Sequence, residues 1–501
     1  MSKFFISIDQ GTTSSRAVLY NSSFDQLSQE QKEFKQYYPA EGLVEHDPEE
    51  VWSSVCETTK SLMTKNEVKS EDIISIGITN QRETIMLWDN KGKVLDKAIV
   101  WQDRRTAKYC EELKAKGLEK IITEKTGLLL DPYFSASKAR WLINKHKVDP
   151  KKYFFGTIDT FLVWKLTQGK AFKTDITNAS RTSLLNIDLG IWDEELLDIF
   201  ELRGLNLPEV TKNASDFGTT KIFGGEIRIS GVAGDQQASL IGQGCFSQGQ
   251  VKSTFGTGCF LMANSGNERQ NSSNRLLSTV GYQIKDICYA LEGSIFMAGA
   301  NFQWLRDRMN FFKEVSESES LAKKANQGSS VFLIPAFVGL GAPHWEPDAR
   351  GAIFGLTRDS GKAEISLAAH EAVAFQTKEI ISSLEGDGLK VEELRIDGGL
   401  SNNLFFNQLL SNVIQLEVLC SKTVESTALG AAFHLRRPYW RFLAAREKGR
   451  AKFATLFTRK HIFQGVRLRR CSRKESLHRE QYRAELPRSS LIRSLSRRLS
   501  L

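Results

Sequence analysis

No stretch of this 501-residue chain reaches the roughly 18 to 20 consecutive apolar residues that a helix needs to cross a bilayer, so no membrane span is expected. No secretory leader is expected either. Met1-Ser-Lys3 runs into Phe4-Phe-Ile-Ser-Ile-Asp9, an apolar stretch too short for a leader core and closed by an acid. The 7 cysteines are odd in number, scattered and without a C-x-x-C pair, which excludes a disulfide scaffold and points to reduced thiols in the cytoplasm. The 7 histidines, at 46, 146, 344, 370, 434, 461 and 478, show no H-x-x-x-H or Cys/His spacing, so a zinc site is not expected. There is no Walker A ending, no G-x-G-x-x-G fingerprint and no G-x-S-x-G elbow.

Acid is scarce at one end only. Residues 434–501 hold 20 Lys+Arg against 4 Glu and no Asp, a net of +16, whereas the first 433 residues hold 48 Lys+Arg against 55 Asp+Glu, a net of −7. The overall +9 therefore describes no surface of the main body, and a nucleic-acid partner is not expected despite the basic tail. With 41% hydrophobic, 10% aromatic and 25% charged residues, the body has ordinary globular composition. Its length exceeds what one hydrophobic core organises, so at least two domains are expected.

Three local patterns stand out. Phe4-Phe-Ile-Ser-Ile-Asp9, then Gln10-Gly-Thr-Thr-Ser-Ser-Arg16, then Ala17-Val-Leu-Tyr20 read as a β-hairpin with a polar glycine turn. A second hairpin is read where Gln250-Val-Lys-Ser-Thr-Phe255 passes through Gly256-Thr-Gly258 into Cys259-Phe-Leu-Met-Ala263. The third unit, Leu394-Arg-Ile-Asp397, Gly398-Gly399 and an apolar-periodic run over 404–414, reads as strand, glycine turn, helix, a common setting for a nucleotide. Further strands are read at 73–78 and 227–232, and helices at 49–63 and 135–146. Two glycine hairpins in the two halves suggest two related α/β domains facing one cleft.

Several of these segments can carry chemistry, each with a plainer alternative. The turn after Asp9 offers backbone N–H groups, four hydroxyls, an arginine and an acid able to hold hydrated Mg²⁺, which suits phosphate; a Ser/Thr-rich loop would look the same. Arg82 and Glu83 after the 73–78 strand could bind a polyhydroxylated substrate or form a surface ion pair. Tyr133 and Trp101 are pocket walls or core. Asp235, after the apolar strand read over 229–233, is a general base or a helix N-cap.

Taken in order, Phe5-Ile-Ser-Ile-Asp-Gln-Gly-Thr-Thr-Ser-Ser-Arg16, Gly77-Ile-Thr-Asn-Gln-Arg-Glu-Thr84, Ala98-Ile-Val-Trp-Gln102, Asp131-Pro-Tyr-Phe134 and Thr177-Asn-Ala-Ser-Arg-Thr182 resemble the glycerol kinase branch of the FGGY carbohydrate kinases. Ala233-Gly-Asp-Gln-Gln237, Gly256-Thr-Gly-Cys-Phe260, Met297-Ala-Gly-Ala300, Gly339-Leu-Gly-Ala-Pro343 and Asp397-Gly-Gly399 extend the resemblance, which covers about residues 4 to 433. It implies an α/β protein with two domains of the actin/Hsp70/hexokinase ATPase, ribonuclease H-like fold, divided at 1–246 and 247–433, with a cleft between them. The implied activity is ATP-dependent phosphorylation of glycerol with Mg²⁺, in a homo-oligomer (dimer or tetramer).

Residue by residue, the resemblance implies that Arg82, Glu83, Tyr133 and Asp235 bind the glycerol hydroxyls, with Gln236 adjacent, and that Trp101 and Phe260 wall the carbon chain. Asp235 becomes the general base. Thr12, Thr13, Ser14, Arg16, Thr257, Gly299 and Gln303 fall on the phosphate side, Gly399 and one of Asn402 and Asn403 on the adenosine side, and Asp9 and Asp235 toward the metal. The rivals are a sister kinase for a pentulose or gluconate, and an Hsp70-like ATPase; the Asn-Gln-Arg-Glu and Asp-Pro-Tyr-Phe elements favour glycerol, and the chain has no β-rich peptide-binding region. Phe223-Gly-Gly-Glu-Ile-Arg-Ile229 is shorter than the loop that many bacterial relatives use for fructose 1,6-bisphosphate, so inhibition by that sugar is not expected.

After Thr427-Ala-Leu-Gly-Ala-Ala-Phe433 the family pattern stops and His434-Leu-Arg-Arg-Pro-Tyr-Trp-Arg-Phe-Leu443 begins. The 434–501 segment carries 16 Arg and 4 Lys, whereas the body carries 15 Arg and 33 Lys. So abrupt a change within a helix-forming region reads as a shifted reading frame, with a poorly ordered tail and a chain of weakened stability or activity as the expectation.

Overall fold

The computed structural model describes residues 3–326, 328–421, 426–433 and 467–468. The expectations attached to the rest of the 434–501 tail lie outside the described residues.

The first half is built on a six-stranded sheet. Its strands are β1 (Phe4–Gln10), β2 (Ser14–Asn21), β3 (Gln26–Glu33), β4 (Ile73–Asn80), β5 (Thr219–Thr220) and β6 (Ile227–Gly234). They lie in the order β5-β6-β4-β1-β2-β3. β1, β2 and β3 are antiparallel, whereas β4 runs parallel to β1 and β6 parallel to β4. Ile6, Ile8, Ile76, Ile78 and Val232 are fully buried, each worth roughly 1.5 to 3 kcal/mol of transfer from water. The register decides where chemistry can sit. Asp9 stands beside Thr79 and Gly234 beside Asn80, so Asp9, the turn carrying Arg82 and Glu83, and Asp235 all emerge at the carboxyl ends of neighbouring parallel strands.

The second half repeats the plan. Its strands are β7 (Val251–Phe255), β8 (Cys259–Gly266), β9 (Leu277–Gln283), β10 (Ile287–Ile295), β11 (Glu393–Asp397), β12 (Glu417–Cys420) and β13 (Arg467–Leu468), in the order β9-β10-β8-β7-β11-β12-β13. The β7–β8 hairpin is extended by antiparallel β10 on one side and by parallel β11 and β12 on the other, as β1–β2 is by β3, β4 and β6. Both predicted hairpins are present, and the strand–turn–helix unit runs from β11 into a helix over Leu404–Ile414.

Helices cover the sheets: α1 (Pro48–Lys65), α2 (Ser135–His146), α3 (Asp235–Gly242), α4 (Gly299–Asp307), α5 (Lys362–Gly386), α6 (Leu404–Ile414) and α7 (Ser426–Phe433). α1 starts on Asp47, whose carboxylate accepts from the Glu49 N–H at 3.0 Å, with Pro48 at the first helical position. It buries Val51, Val55 and Leu62 against the first sheet. α3 and α7 cross at glycines: a Cβ on Gly242 would lie 1.9 Å from the Ser426 carbonyl oxygen, and one on Gly430 would lie 1.8 Å from that of Ala238. A shared core ties the halves together. Phe5, Val18 and Tyr20 of the first sheet pack with Met262 and Ala290 of the second and with Ala428, Leu429 and Ala432 of α7.

Candidate active site

The Arg82–Glu83 turn follows β4 and is tight. Thr84 N–H donates to the Arg82 carbonyl at 2.7 Å, and Glu83 has φ +61°, a left-handed conformation that an L-residue adopts at a cost. Neither side chain is a surface ion pair; both are buried. Arg82 reaches Asp235 Oδ1 through Nε at 3.3 Å, Glu83 Oε1 at 3.9 Å, Gln237 Oε1 through Nη1 at 3.2 Å and the Tyr133 hydroxyl at 3.5 Å. Asp235 opens α3 as its first residue, with Gly234 as the N-cap, and Oδ1 accepts from the Gln236 N–H at 2.7 Å. Gln236 Oε1 in turn accepts from Lys252 of β7.

Aromatic rings close the pocket. The Trp101 ring stands 5.7 Å from that of Tyr133 and 5.8 Å from that of Phe260, both edge-on, and Phe260 belongs to the second half. The Trp101 indole N–H donates to Thr12 Oγ1 at 3.0 Å, fixing the wall against the first hairpin turn.

On the phosphate side, the β1–β2 turn is closed by Gly11 N–H donating to the Ser14 carbonyl at 2.9 Å, and Thr13 receives the Phe34 N–H on its carbonyl at 3.2 Å. Gln31 of β3 donates to Ser14 Oγ at 2.8 Å and accepts from Arg16 at 3.1 Å, and Arg16 lies 3.9 Å from Asp9. The β7–β8 turn is locked to the start of α4: Ala298 and Ala300 N–H donate to the Thr257 carbonyl at 2.9 and 3.1 Å, and Gly299 N–H to the Gly256 carbonyl at 2.9 Å. A Cβ on Gly299 would meet the Gly256 carbonyl oxygen at 2.6 Å, so only glycine lets the helix end approach the turn so closely. Gln303 is exposed one turn further along.

After β11, Gly398 takes φ +86° against the backbone of Phe255, and Gly399 opens a short 3₁₀ turn. The two asparagines have different surroundings. Asn403 caps α6, accepting from the Phe406 N–H at 2.9 Å and meeting His370 Nε2 at 3.3 Å, whereas Asn402 is exposed.

Burial, with Asp235 pushing the same way and Arg16 opposing, raises Asp9 to about 6. Asp235 is also raised by burial, against Arg82 and Lys252. Glu83 is raised by burial against the pull of Arg82 and Arg181.

Two charged residues of this cluster are absent from the expected set. Arg181 donates Nε to Glu83 at 2.6 Å, and Glu292 of β10 binds both arginines. Burial alone would raise Glu292, but Arg181 and Arg82 outweigh it and hold it at about 2. The signal for Glu292 is a single acid inside the otherwise buried, apolar strand β10; the signal for Arg181 is a cation in a segment whose side chains are otherwise small or neutral.

Residues 4–242 match the N-terminal domain of the FGGY family of carbohydrate kinases, and residues 251–434 match its C-terminal domain. The chain belongs to the FGGY carbohydrate kinase family. This FGGY kinase is 51% identical over 445 residues to a glycerol kinase of Alteromonas mediterranea, covering 86% of this chain and 90% of that one. It is 49% identical over 445 residues to a glycerol kinase of Rhizobium meliloti, with the same coverage. Its structure is similar to that of Plasmodium falciparum glycerol kinase with ADP, at a TM-score of 0.84 and 34% identity, covering 96% of this chain and 97% of that one. The fold, and only the fold, is shared with a gluconate kinase from Lactobacillus acidophilus, at a TM-score of 0.83 and 23% identity over 96% of each chain. The family match ends at residue 434, beside the break in sequence pattern after Phe433.

Proposed function

We propose that this FGGY kinase transfers the γ-phosphoryl group of ATP to a terminal hydroxyl of glycerol, forming sn-glycerol 3-phosphate. The observation that carries the reading is the pocket itself: Arg82, Glu83 and Asp235 converge beside an aromatic box of Trp101, Tyr133 and Phe260, its rings 5.7 and 5.8 Å apart. Polar groups on one face and apolar walls on the other suit a short triol, which offers hydroxyls along one edge and C–H bonds along the other. The relatives that cover most of the chain carry the same activity in their names.

In this reading Asp235 takes the proton of the attacking hydroxyl. Its carboxylate is less stabilised than an exposed one, which makes it a better base, and Arg82 keeps it aimed. Thr12, Thr13, Ser14 and Arg16 would hold the phosphates from the first hairpin. The Thr257 turn and the N-terminus of α4, with Gly299 and Gln303, would hold them from the second. Phosphoryl transfer asks for little more than in-line positioning and compensation of charge. Gly399 and Asn402 would meet the adenosine, since Asn403 is committed to capping α6.

The donor set also fits magnesium. Asp9 and Asp235 stand at the carboxyl ends of neighbouring parallel strands, and the charge of Asp235 disfavours ionisation of Asp9, a repulsion that a dication relieves. Among the described residues there is no group of three or more His, Cys, Asp or Glu able to enclose a metal, so the ion would keep most of its water, as Mg²⁺ does. When bound it would supply charge compensation to the phosphates. A coupled assay of ADP release with glycerol, a pentulose and gluconate in parallel tests the assignment. Glycerol should give the highest kcat/KM, and a higher value for either sugar would overturn it.

A further inference from the structure

Glu292 belongs to β10 of the second domain, where it pairs in register with Met262 and Leu277 of the flanking strands. Its carboxylate nevertheless projects into the first domain's acceptor pocket. Oε2 meets Arg82 Nη1 at 2.6 Å and Oε1 meets Arg82 Nη2 at 2.9 Å, an end-on bidentate pair, while Oε1 also accepts from Arg181 Nη2 at 3.1 Å. With both terminal nitrogens of Arg82 held this way, its Nε edge is left toward Asp235 at 3.3 Å and Glu83 at 3.9 Å. Arg181, steadied by the same carboxylate, donates Nε to Glu83 at 2.6 Å. Glu292, Arg82, Arg181 and Glu83 are all buried, so no water competes for the bonds among them.

We infer that Glu292 is a positioning residue for the acceptor pocket: from the second domain it sets the orientation of Arg82 and, through Arg181, of Glu83, so that the glycerol-binding edge exists only when the two domains are packed together. The inference rests on the glycerol reading and adds to it a residue that need not touch substrate. Bidentate geometry is what makes the role specific. An aspartate is one methylene shorter and cannot span Arg82 and Arg181 from the same backbone position, although it keeps the charge. A glutamine keeps the length but turns one acceptor into a donor facing a guanidinium.

The test is Glu292→Asp and Glu292→Gln in the full chain, with glycerol and ATP kinetics and calorimetric ADP binding. Both variants should raise the glycerol KM by about 10- to 100-fold, the range expected for losing one or two hydrogen bonds between charged groups. The ATP KM and ADP affinity should stay within about 2-fold. A wild-type glycerol KM in Glu292→Asp would overturn the inference, because charge alone would then suffice. Parallel loss of ADP and glycerol binding in both variants would overturn it too, by making Glu292 a purely structural support. A wild-type chain that neither binds nor phosphorylates glycerol refutes the functional reading itself, whatever the variants do.

Discussion

Replacing Asp235 by Asn should abolish most turnover without disturbing the fold or nucleotide binding. The substitution is close to isosteric, and the amide oxygen can still accept the Gln236 N–H that the carboxylate accepts at 2.7 Å. The stability effect has a definite sign. Because burial raises the Asp235 pKa above its unfolded value, the ionised form costs folding free energy at every pH above that value. Asparagine removes the cost, so the melting temperature should stay level or rise slightly. Turnover should fall by about 10²- to 10⁴-fold, the contribution of a positioned general base. The glycerol KM should rise by no more than about 10-fold, since the contact with Arg82, at 3.3 Å, loses its anionic partner but keeps the charge of the guanidinium. The ATP KM should change little, as the hairpin and α4 contacts remain and Asp9 still faces the hydrated ion. A steady-state coupled assay with a thermal melt beside it measures all four quantities. A variant retaining more than about a tenth of wild-type kcat would remove Asp235 from the role of base.

Asn402→Ala should weaken ADP binding with an unchanged melting temperature, whereas Asn403→Ala should cost about 1 kcal/mol of stability through loss of the α6 cap, separable by calorimetry and thermal denaturation. Gly430→Ala should destabilise the chain by about 1 to 3 kcal/mol in chemical denaturation, because its Cβ would sit 1.8 Å from the Ala238 carbonyl oxygen of α3 and the helices must separate. Two buried histidines add a loss of stability on acidification, opposite in sign to the relief of the raised carboxylates Asp9 and Asp235. Burial lowers His46 and His370 to about 4, so between the unfolded value near 6.5 and pH 4 the unfolded chain takes up protons that the folded chain refuses. The loss is about 3 kcal/mol per histidine at pH 4, and His370→Asn should reduce the slope of unfolding free energy against pH in this window by one proton.

The parts of this molecule that are legible from sequence are those whose physical cause is local. α2 is readable over its whole length because its apolar positions recur at helical spacing, and the two hairpins because glycine turns separate short β-branched and aromatic runs. The Arg82–Glu83 pair shows where such reading ends. As sequence it is equally a surface ion pair, and only the parallel register of β1, β4 and β6 brings it to the same sheet edge as Asp9 and Asp235. Asn402 and Asn403 are likewise equivalent as letters, until the start of α6 takes one of them as its cap. Glu292 is further out of reach: it lies 210 positions from Arg82, in the other domain, with no motif around it. Yet an acid inside a strand as apolar as β10 is already a physical question. An unpaired carboxylate there would be prohibitively costly, so a buried cation has to meet it, and the chain offers Arg82 and Arg181 from the opposite domain. Such lone charges in buried strands are the positions at which a two-domain kinase can be expected to bind its halves around a substrate.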